Sequence, residues 1–198
     1  VVPFNFDSPL GTELTALLRR GTSVDRNDGS VLLSLGFDFP FFGTNYTAVS
    51  INANGNVTFT GPSSLYTESA ESLAFGLPRI AAFWDDLDFT RSGGLFAKIV
   101  DTPIAKVVIT WNAVPEWGTV NSNTVQLTLS NDGAIEIAYN GVSAVDGLVG
   151  VSRGMEEVTV RQVDITASAP LTGLREGVFE KFPAVELEAA ATNLFYHL

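Results

Sequence analysis

Alternation of apolar and other residues runs through the middle of the chain and constrains its fold more than any other feature. A period of two places successive side chains on opposite faces of a strand, one of which is buried. The clearest apolar series are Val31, Leu33, Leu35, Phe37, Phe39; Val107, Ile109, Trp111; Val125, Leu127, Leu129; and Ile135, Ile137, Tyr139. Turn residues separate the segments, a pattern typical of an antiparallel sandwich or barrel. We expect a mostly β chain, folded as an antiparallel β-sandwich.

Two turn motifs join neighbouring strands of this pattern. Asn54-Gly55 lies between apolar alternating segments, and Asn-Gly favours a type I′ turn because both of its central positions take positive φ. We therefore predict a two-residue hairpin turn that joins residues 49–53 to 56–59. Asn131-Asp132-Gly133 predicts a second hairpin with a slightly longer loop.

The two ends of the chain carry helix-like patterns. Ser8-Pro9 is typical of a helix start, and Gly21 of a helix end. Leucines at helical spacing lie between them, and apolar residues near the C-terminus share the same spacing: Leu10, Leu14, Leu17 and Leu18; Leu187, Ala191, Leu194, Phe195 and Leu198. We expect short terminal helices on a single domain that spans residues 1–198.

Composition excludes several classes of function. The 198 residues carry a formal net charge of −11, which would repel a phosphate backbone, so nucleic acid is not an expected partner. The chain has no cysteine, which excludes disulfides and is compatible with a secreted bacterial protein. No apolar run of about 18 residues predicts a membrane span. The start, Val1-Val2-Pro3, has neither an initiator Met nor a signal peptide, so we expect a piece of a longer protein.

Three segments together resemble the nidogen-like (NIDO-type) extracellular domain family. They are Gly36-Phe37-Asp38-Phe39-Pro40-Phe41-Phe42-Gly43 with its continuation to Asn54-Gly55-Asn56-Val57-Thr58-Phe59; Leu77-Pro78-Arg79-Ile80-Ala81-Ala82-Phe83-Trp84-Asp85-Asp86-Leu87-Asp88; and the strand-turn-strand from Val125 to Tyr139 that leads to Gly150-Val151-Ser152. The resemblance covers about residues 29–154. It implies a non-catalytic module of a larger secreted or cell-surface protein, with a protein or glycan partner.

The densest carboxylate cluster is formed by Asp85, Asp86 and Asp88. It follows an apolar run, so we expect Trp84 to be buried and the carboxylates to lie near the rim of a sheet. Carboxylate oxygens bind hard cations such as Ca²⁺, which makes the three aspartates candidate metal ligands. Pairing with Arg79 or Arg91 is the alternative.

Asp25-Arg26-Asn27-Asp28-Gly29 raises the same question of a calcium loop. Its glycine comes one residue too early for the start of an EF-hand loop, and no acidic ligand follows at the required spacing. A β-turn with Asp28-Gly29 at its tip is therefore the interpretation that we adopt.

Aromatic residues outside the apolar series are candidates for ligand binding. Trp117 lies in the loop-like segment Val114-Pro115-Glu116-Trp117-Gly118, and Tyr46 follows the aromatic segment, so both could stack on a sugar. Packing over the edge of the sandwich is the alternative for each. Trp111 and Tyr66 are the other aromatic candidates.

Catalysis has little support in the sequence. The sole histidine, His197, lies next to the last residue, and cysteine is absent, so common nucleophile triads and Cys-containing zinc sites are not expected. Two carboxylates of glycosidase type, for example Asp86 with Glu116, remain as an enzymatic alternative. The function that we expect is adhesion or protein interaction without catalysis. The first alternative is an ancillary carbohydrate-binding domain of a secreted hydrolase.

Overall fold

A computed structural model of the chain describes residues 6–101, 103–154, 160–165, 171–183 and 194–197. Its strands, in chain order, are β1 Thr12–Glu13, β2 Arg19–Arg20, β3 Ser23–Val24, β4 Ser30–Phe41, β5 Thr44–Asn52, β6 Asn56–Thr58, β7 Arg79–Trp84, β8 Gly94–Val100, β9 Lys106–Val114, β10 Asn123–Ser130, β11 Ala134–Tyr139, β12 Asp146–Ser152, β13 Arg161–Gln162, β14 Leu171–Thr172, β15 Val178–Pro183 and β16 Leu194–His197. A 3₁₀ turn spans Thr15–Leu17, and helix α1 spans Ala70–Phe75.

Within these ranges the strands form two sheets, which confirms the predicted mostly β, antiparallel architecture. A seven-stranded sheet has the order β1-β8-β9-β10-β11-β16-β14, and a nine-stranded sheet has the order β13-β15-β12-β7-β6-β5-β4-β2-β3. Neighbouring strands are antiparallel except in the pairs β13–β15 and β14–β16. The main core contains residues of both sheets, as a sandwich requires.

Hydrogen bonds between described residues link the sheets through this core. The indole nitrogen of Trp111, in the seven-stranded sheet, donates to the carbonyl of Asn52 in β5 at 3.0 Å. The hydroxyl of Tyr139 donates to the carbonyl of Ala82 in β7 at 2.8 Å. A buried indole N–H or a partly buried hydroxyl would be costly without a partner, so these contacts fix how the sheets lie on one another.

The Asn54-Gly55 hairpin forms, but its turn has three residues rather than two. Asn52 pairs with Asn56, which leaves residues 53–55 as the turn. The predicted pairing of the flanking segments is confirmed, and the two-residue turn is wrong. Gly55 takes a φ of 70°, and its carbonyl accepts hydrogen bonds from two residues of the neighbouring β7, so the turn is built to fit this strand.

That contact creates a bulge in β7. The carbonyl of Gly55 accepts from the amides of both Ala82 and Phe83, at 3.1 and 2.9 Å. These two consecutive residues therefore face the same core, and Trp84 is turned to the opposite face of the sheet. There Trp84 is fully buried, as predicted, and packs with Leu73, Ala81, Leu148 and Phe179. The residues that follow Trp84 leave β7 at the end of the sandwich.

The predicted terminal helices are wrong where the structure describes them. At the N-terminus, Gly11 has a φ of 94° and lies against β8, where a Cβ would stand 2.4 Å from the Ala97 carbonyl oxygen. Residues 12–13 then pair with β8, and only the 3₁₀ turn is helical. At the C-terminus, Leu194–His197 pairs with β11 as β16. The rest of that predicted helix lies outside the described residues.

Candidate functional site

Three connections meet at one end of the sandwich. Residues 85–93 follow β7, residues 115–122 join β9 to β10, and residues 140–145 join β11 to β12. The first two are joined by backbone hydrogen bonds, from Asp88 to the carbonyl of Pro115 at 2.9 Å and from Trp117 to the carbonyl of Asp86 at 2.7 Å. The chain around Asp86 is thereby held against the chain around Glu116.

The third connection is attached to the second by side chains. The Oδ1 of buried Asn123 accepts from the amides of Ser143 and Ala144, at 2.8 and 2.9 Å. Glu116 Oε2 accepts from the amide of Val145 at 3.2 Å. Since these amides belong to one loop, Asn123 and Glu116 determine its position beside β10.

Four carboxylates lie at this junction, and we call them the acidic rim: Asp85, Asp86, Glu116 and Asp146. Asp85, Glu116 and Asp146 each offer a carboxylate oxygen, and these oxygens lie within 4.8 Å of one another. Asp85 is buried, Glu116 is half-buried and Asp146 is exposed. The group therefore opens to solvent on one side and is closed by protein on the other.

Asp85 is the most constrained member of the acidic rim. Its Oδ1 accepts from the amide of Asp86 at 2.7 Å, whereas its Oδ2 is buried with no hydrogen-bond partner within the described part of the chain. Burial, together with repulsion from Glu116, Glu68 and Asp146, raises the pKa of Asp85 from its ordinary 3.8 to about 7. A cation or a proton would relieve this repulsion.

The surroundings of Asp86 also disfavour its charged form. Burial raises its pKa to about 6, and the charges of Asp28, Asp88 and Glu116 act in the same direction. Its Oδ1 is also buried without a hydrogen-bond partner among the described residues. Perturbed carboxylates that gather at one place are a mark of functional sites.

The negative charge of Asp88, by contrast, is compensated by an arginine. Asp88 lies 3.5 Å from the Arg91 guanidinium, and its Oδ1 accepts from the amide of Thr90 at 2.8 Å. This is the arginine pairing named as the alternative for the aspartates. Arg79 does not join them, because its guanidinium lies 3.9 Å over the Trp84 ring and donates to Ser63.

Two cations near these carboxylates pair with other acidic residues. Arg20 pairs with Asp25 and Asp28, and Lys181 pairs with Glu68 at 3.1 Å. Among the ion pairs of the described residues, none reaches a carboxylate of the acidic rim. Metal binding by Asp85, Asp86 and Asp88 together stays a prediction. The structure groups Asp85 with Glu116 and Asp146.

The turn predicted at residues 25–29 forms, but its bend spans residues 26–28, so Asp28-Gly29 is not its tip. Asp25 Oδ1 accepts from the amides of Asn27 and Asp28, both at 3.0 Å, which closes a side-chain-stabilised turn. Gly29 fits tightly, since a Cβ there would stand 2.0 Å from the Asp25 carbonyl oxygen.

The two aromatic candidates lie in different environments and at different places. Trp117 is 61% exposed on the loop beside the acidic rim. Tyr46 is half-buried, with its ring 4.5 Å from that of Phe59, near the end of β5 remote from the Gly55 turn. Trp111 is fully buried in the core. The structure therefore does not bring Trp117 and Tyr46 into one site.

Sequence reasoning missed Asp146 entirely and considered Glu116 only as a catalytic partner of Asp86. The order of strands brings them together: β12 lies beside β7, and Glu116 forms an isolated bridge with Leu87. The one local signal was Asp146-Gly147 at the start of an apolar segment. Gly147 is required there, because a Cβ would stand 2.4 Å from the Phe83 ring.

The fold and the rim define a β-sandwich module with a cluster of carboxylates among the loops at one end. The family model described as NIDO related matches residues 6–179, so the chain belongs to the NIDO-related family. The match extends beyond the 29–154 stretch in which the resemblance was found. No solved structure matches the chain. The family is a non-enzymatic, extracellular type of module, and no helix among the described residues is long and apolar enough to cross a membrane.

Proposed function

We propose that the chain is an adhesion or protein-interaction module of a larger secreted or surface protein, acts without catalysis, and binds through the loops around the acidic rim. Family membership supports an extracellular module. The observation that carries the choice of surface is the exposure of apolar side chains on two adjoining loops. Trp117 is 61% exposed, Val120 is 92% exposed and Val145 is 68% exposed.

These exposed side chains lie on loops that hydrogen bonds hold in place. Asn121 Nδ2 donates to Glu116 Oε2 and to the carbonyl of Ser143, both at 3.0 Å, so one side chain connects both loops. A fixed loop loses less conformational entropy on binding than a free one. Tryptophan is also enriched among the residues that contribute most to interfaces. Rigid loops with an exposed Trp117 therefore suit recognition of a protein surface.

The variant Trp117→Ala is expected to weaken attachment to a protein partner at least tenfold, as is usual for a central interface tryptophan. The measurement is binding of the purified chain to immobilised cell-surface and matrix proteins, with concentration series for each variant. Leu32→Ser is the matched control, because Leu32 is an equally apolar, 73% exposed side chain on β4. Equal binding by wild type and Trp117→Ala, with saturable attachment, would move the interface away from this end of the sandwich.

Carbohydrate binding is the second candidate, and the flat exposed indole of Trp117 favours it. An aromatic face can stack on a sugar ring while neighbouring carboxylates accept from its hydroxyls. A glycan-array signal that is lost in Trp117→Ala, and attachment that is lost after deglycosylation of the coated proteins, would favour this candidate over a protein partner.

The enzymatic alternative rests on the proximity of Asp86 and Glu116. Panels of polysaccharides and esters test it on the same preparations. We expect no turnover above that of the Asp86→Asn variant. Turnover that is lost in Asp86→Asn would replace the proposed function with a carboxylate hydrolase.

A further inference from the structure

We propose that Asp85, Glu116 and Asp146 form a Ca²⁺ site that joins the end of β7, the β9–β10 loop and the start of β12. This site does not depend on the proposed function, since a cation could hold these segments together whatever the module binds. It also differs from the set of Asp85, Asp86 and Asp88, with which it shares only the first residue.

The spacing of the oxygens suits a single ion. Carboxylate oxygens of all three residues lie within 4.8 Å of one another. Calcium–oxygen bonds are about 2.3–2.6 Å long, so two ligands on opposite sides of the ion are separated by about 4.6–5.2 Å. One Ca²⁺ can therefore contact an oxygen of each residue without a large movement of the backbone.

A second observation, independent of the clustering, points to a ligand. Asp85 is only 4% exposed, and its Oδ2 is buried without a hydrogen-bond partner within the described residues. A buried carboxylate oxygen that has lost water and gained no donor is costly. The neighbouring side chains of Glu116 and Asp146 are carboxylates, so they bring negative charge to Asp85 and offer it no hydrogen-bond donor. A cation at this place would supply the missing partner of Asp85 Oδ2 and offset the negative charges of Glu116 and Asp146.

The ligand types select calcium among the common cations. All three side chains are carboxylates, the chain has no cysteine, and its single histidine is His197 in β16. Zinc prefers nitrogen and sulfur ligands, and magnesium demands near-ideal octahedral geometry. Calcium accepts six to eight oxygens in irregular geometry, so water and a second carboxylate oxygen can complete the shell on the exposed side of Asp146.

Asp88 is excluded from the proposed site because its carboxylate already has partners. Asp86 affects the site only through its charge. Asp88 pairs with Arg91 and accepts from Thr90. Asp86 does not belong to the group of converging oxygens, although its charge adds to the negative potential near Glu116. Variants of these residues therefore separate the site from a general effect of the acidic rim.

Calorimetric titration of the full chain with CaCl₂ tests the proposal. We expect one site with a dissociation constant of about 0.1–1 mM, the range of extracellular modules. Asp146→Asn should bind at least tenfold more weakly, and Asp85→Asn should show no binding heat. Asp132→Asn is the matched control, because Asp132 is an exposed aspartate in the turn at the other end of β10, and it should bind like wild type.

Several results would overturn the site. They are an absence of calcium heat in the wild type, an equal loss in Asp132→Asn, or wild-type affinity in both Asp146→Asn and Glu116→Gln. Loss of binding in Asp88→Asn with full binding in Asp146→Asn would move the site to the sequence-predicted aspartates. MgCl₂ should bind at least tenfold more weakly than CaCl₂, and equal affinity would contradict calcium as the ion. Asp146 is exposed, so its variant keeps the test valid even if Asp85→Asn fails to fold.

Discussion

Replacing Gly55 by alanine is expected to destabilise the protein by at least about 3 kcal/mol, a loss typical of severe backbone clashes. A Cβ at this position would stand 1.7 Å from the carbonyl oxygen of Phe83 and 2.7 Å from its carbonyl carbon. Both atoms belong to the backbone of a central strand and cannot move aside without breaking the bulge in β7. Urea unfolding followed by tryptophan fluorescence measures the loss.

Gly43→Ala is the matched control for this prediction. Gly43 also has a positive φ, of 81°, but a Cβ there would meet nothing within 4 Å. Its variant should lose only the cost of the left-handed conformation, about 1–2 kcal/mol. Equal losses in the two variants would show that Gly55 is needed only for its φ and that the contact with Phe83 is relieved easily.

Replacing Asp85 by asparagine is expected to stabilise the cation-free protein, by about 2–4 kcal/mol at pH 8 in the presence of a chelator. An asparagine Oδ1 can keep the hydrogen bond from the Asp86 amide. Its uncharged amide group removes the repulsion from Glu116 and Asp146, and can donate to their oxygens. A loss of stability in Asp85→Asn would instead show that the carboxylate has a structural partner.

The pH dependence of this difference has a defined sign. Asp85 has a pKa of about 7 in the folded chain, against an ordinary value of 3.8. Between these values the folded state holds a proton that the unfolded state has released, so the contribution of Asp85 to stability falls as the pH rises from about 4 to about 7. The advantage of Asp85→Asn should therefore grow over this range and then level off. Urea unfolding in chelator at pH 5, 6, 7 and 8 measures it, with Asp132→Asn as the control.

The same substitution should also remove the response to calcium. Wild type in 10 mM CaCl₂ is expected to regain about 2.7 kcal/mol if the dissociation constant is about 0.1 mM. Asp85→Asn should gain nothing under these conditions. A residue that destabilises the cation-free protein but is required for binding is an example of the common trade-off between stability and function.

The strands and turns could be predicted from the sequence because their signals are local. Alternation at Val125, Leu127 and Leu129 reports which face of a strand is buried, whatever the partner strand is. The turns at residues 25–29 and 131–133 depend on side chains within a few residues. The third residue of the Gly55 turn could not be predicted, because the length of that turn is determined by its contact with β7.

The prediction of terminal helices was wrong because a local pattern of apolar residues carries no information about strand partners that are distant in sequence. Leucines at positions 14 and 18 are buried as the helical stripe required, yet Gly11 and the pairing of residues 12–13 with β8 impose another backbone. At the other end, residues 194–197 find β11, whose exposed edge satisfies their backbone hydrogen bonds. In both cases a strand partner far away in sequence outweighs local helix propensity.

Only part of the candidate site could be predicted, because contacts between segments distant in sequence assemble the rest. Asp85 stands next to a buried strand, so a position near the rim followed from the sequence. Glu116 and Asp146 join it only because β12 lies beside β7 and because residues 87 and 116 form a bridge. Neither contact leaves a mark in the local sequence.

Diffraction from crystals grown with CaCl₂ tests the calcium site most directly. We expect one strong density peak at about 2.3–2.6 Å from carboxylate oxygens of Asp85, Glu116 and Asp146. The anomalous signal of this peak should vanish in crystals grown with chelator. A water or a donor side chain at that position in both crystals, or a calcium peak bound by Asp86 and Asp88 instead, would contradict a calcium site at Asp85, Glu116 and Asp146.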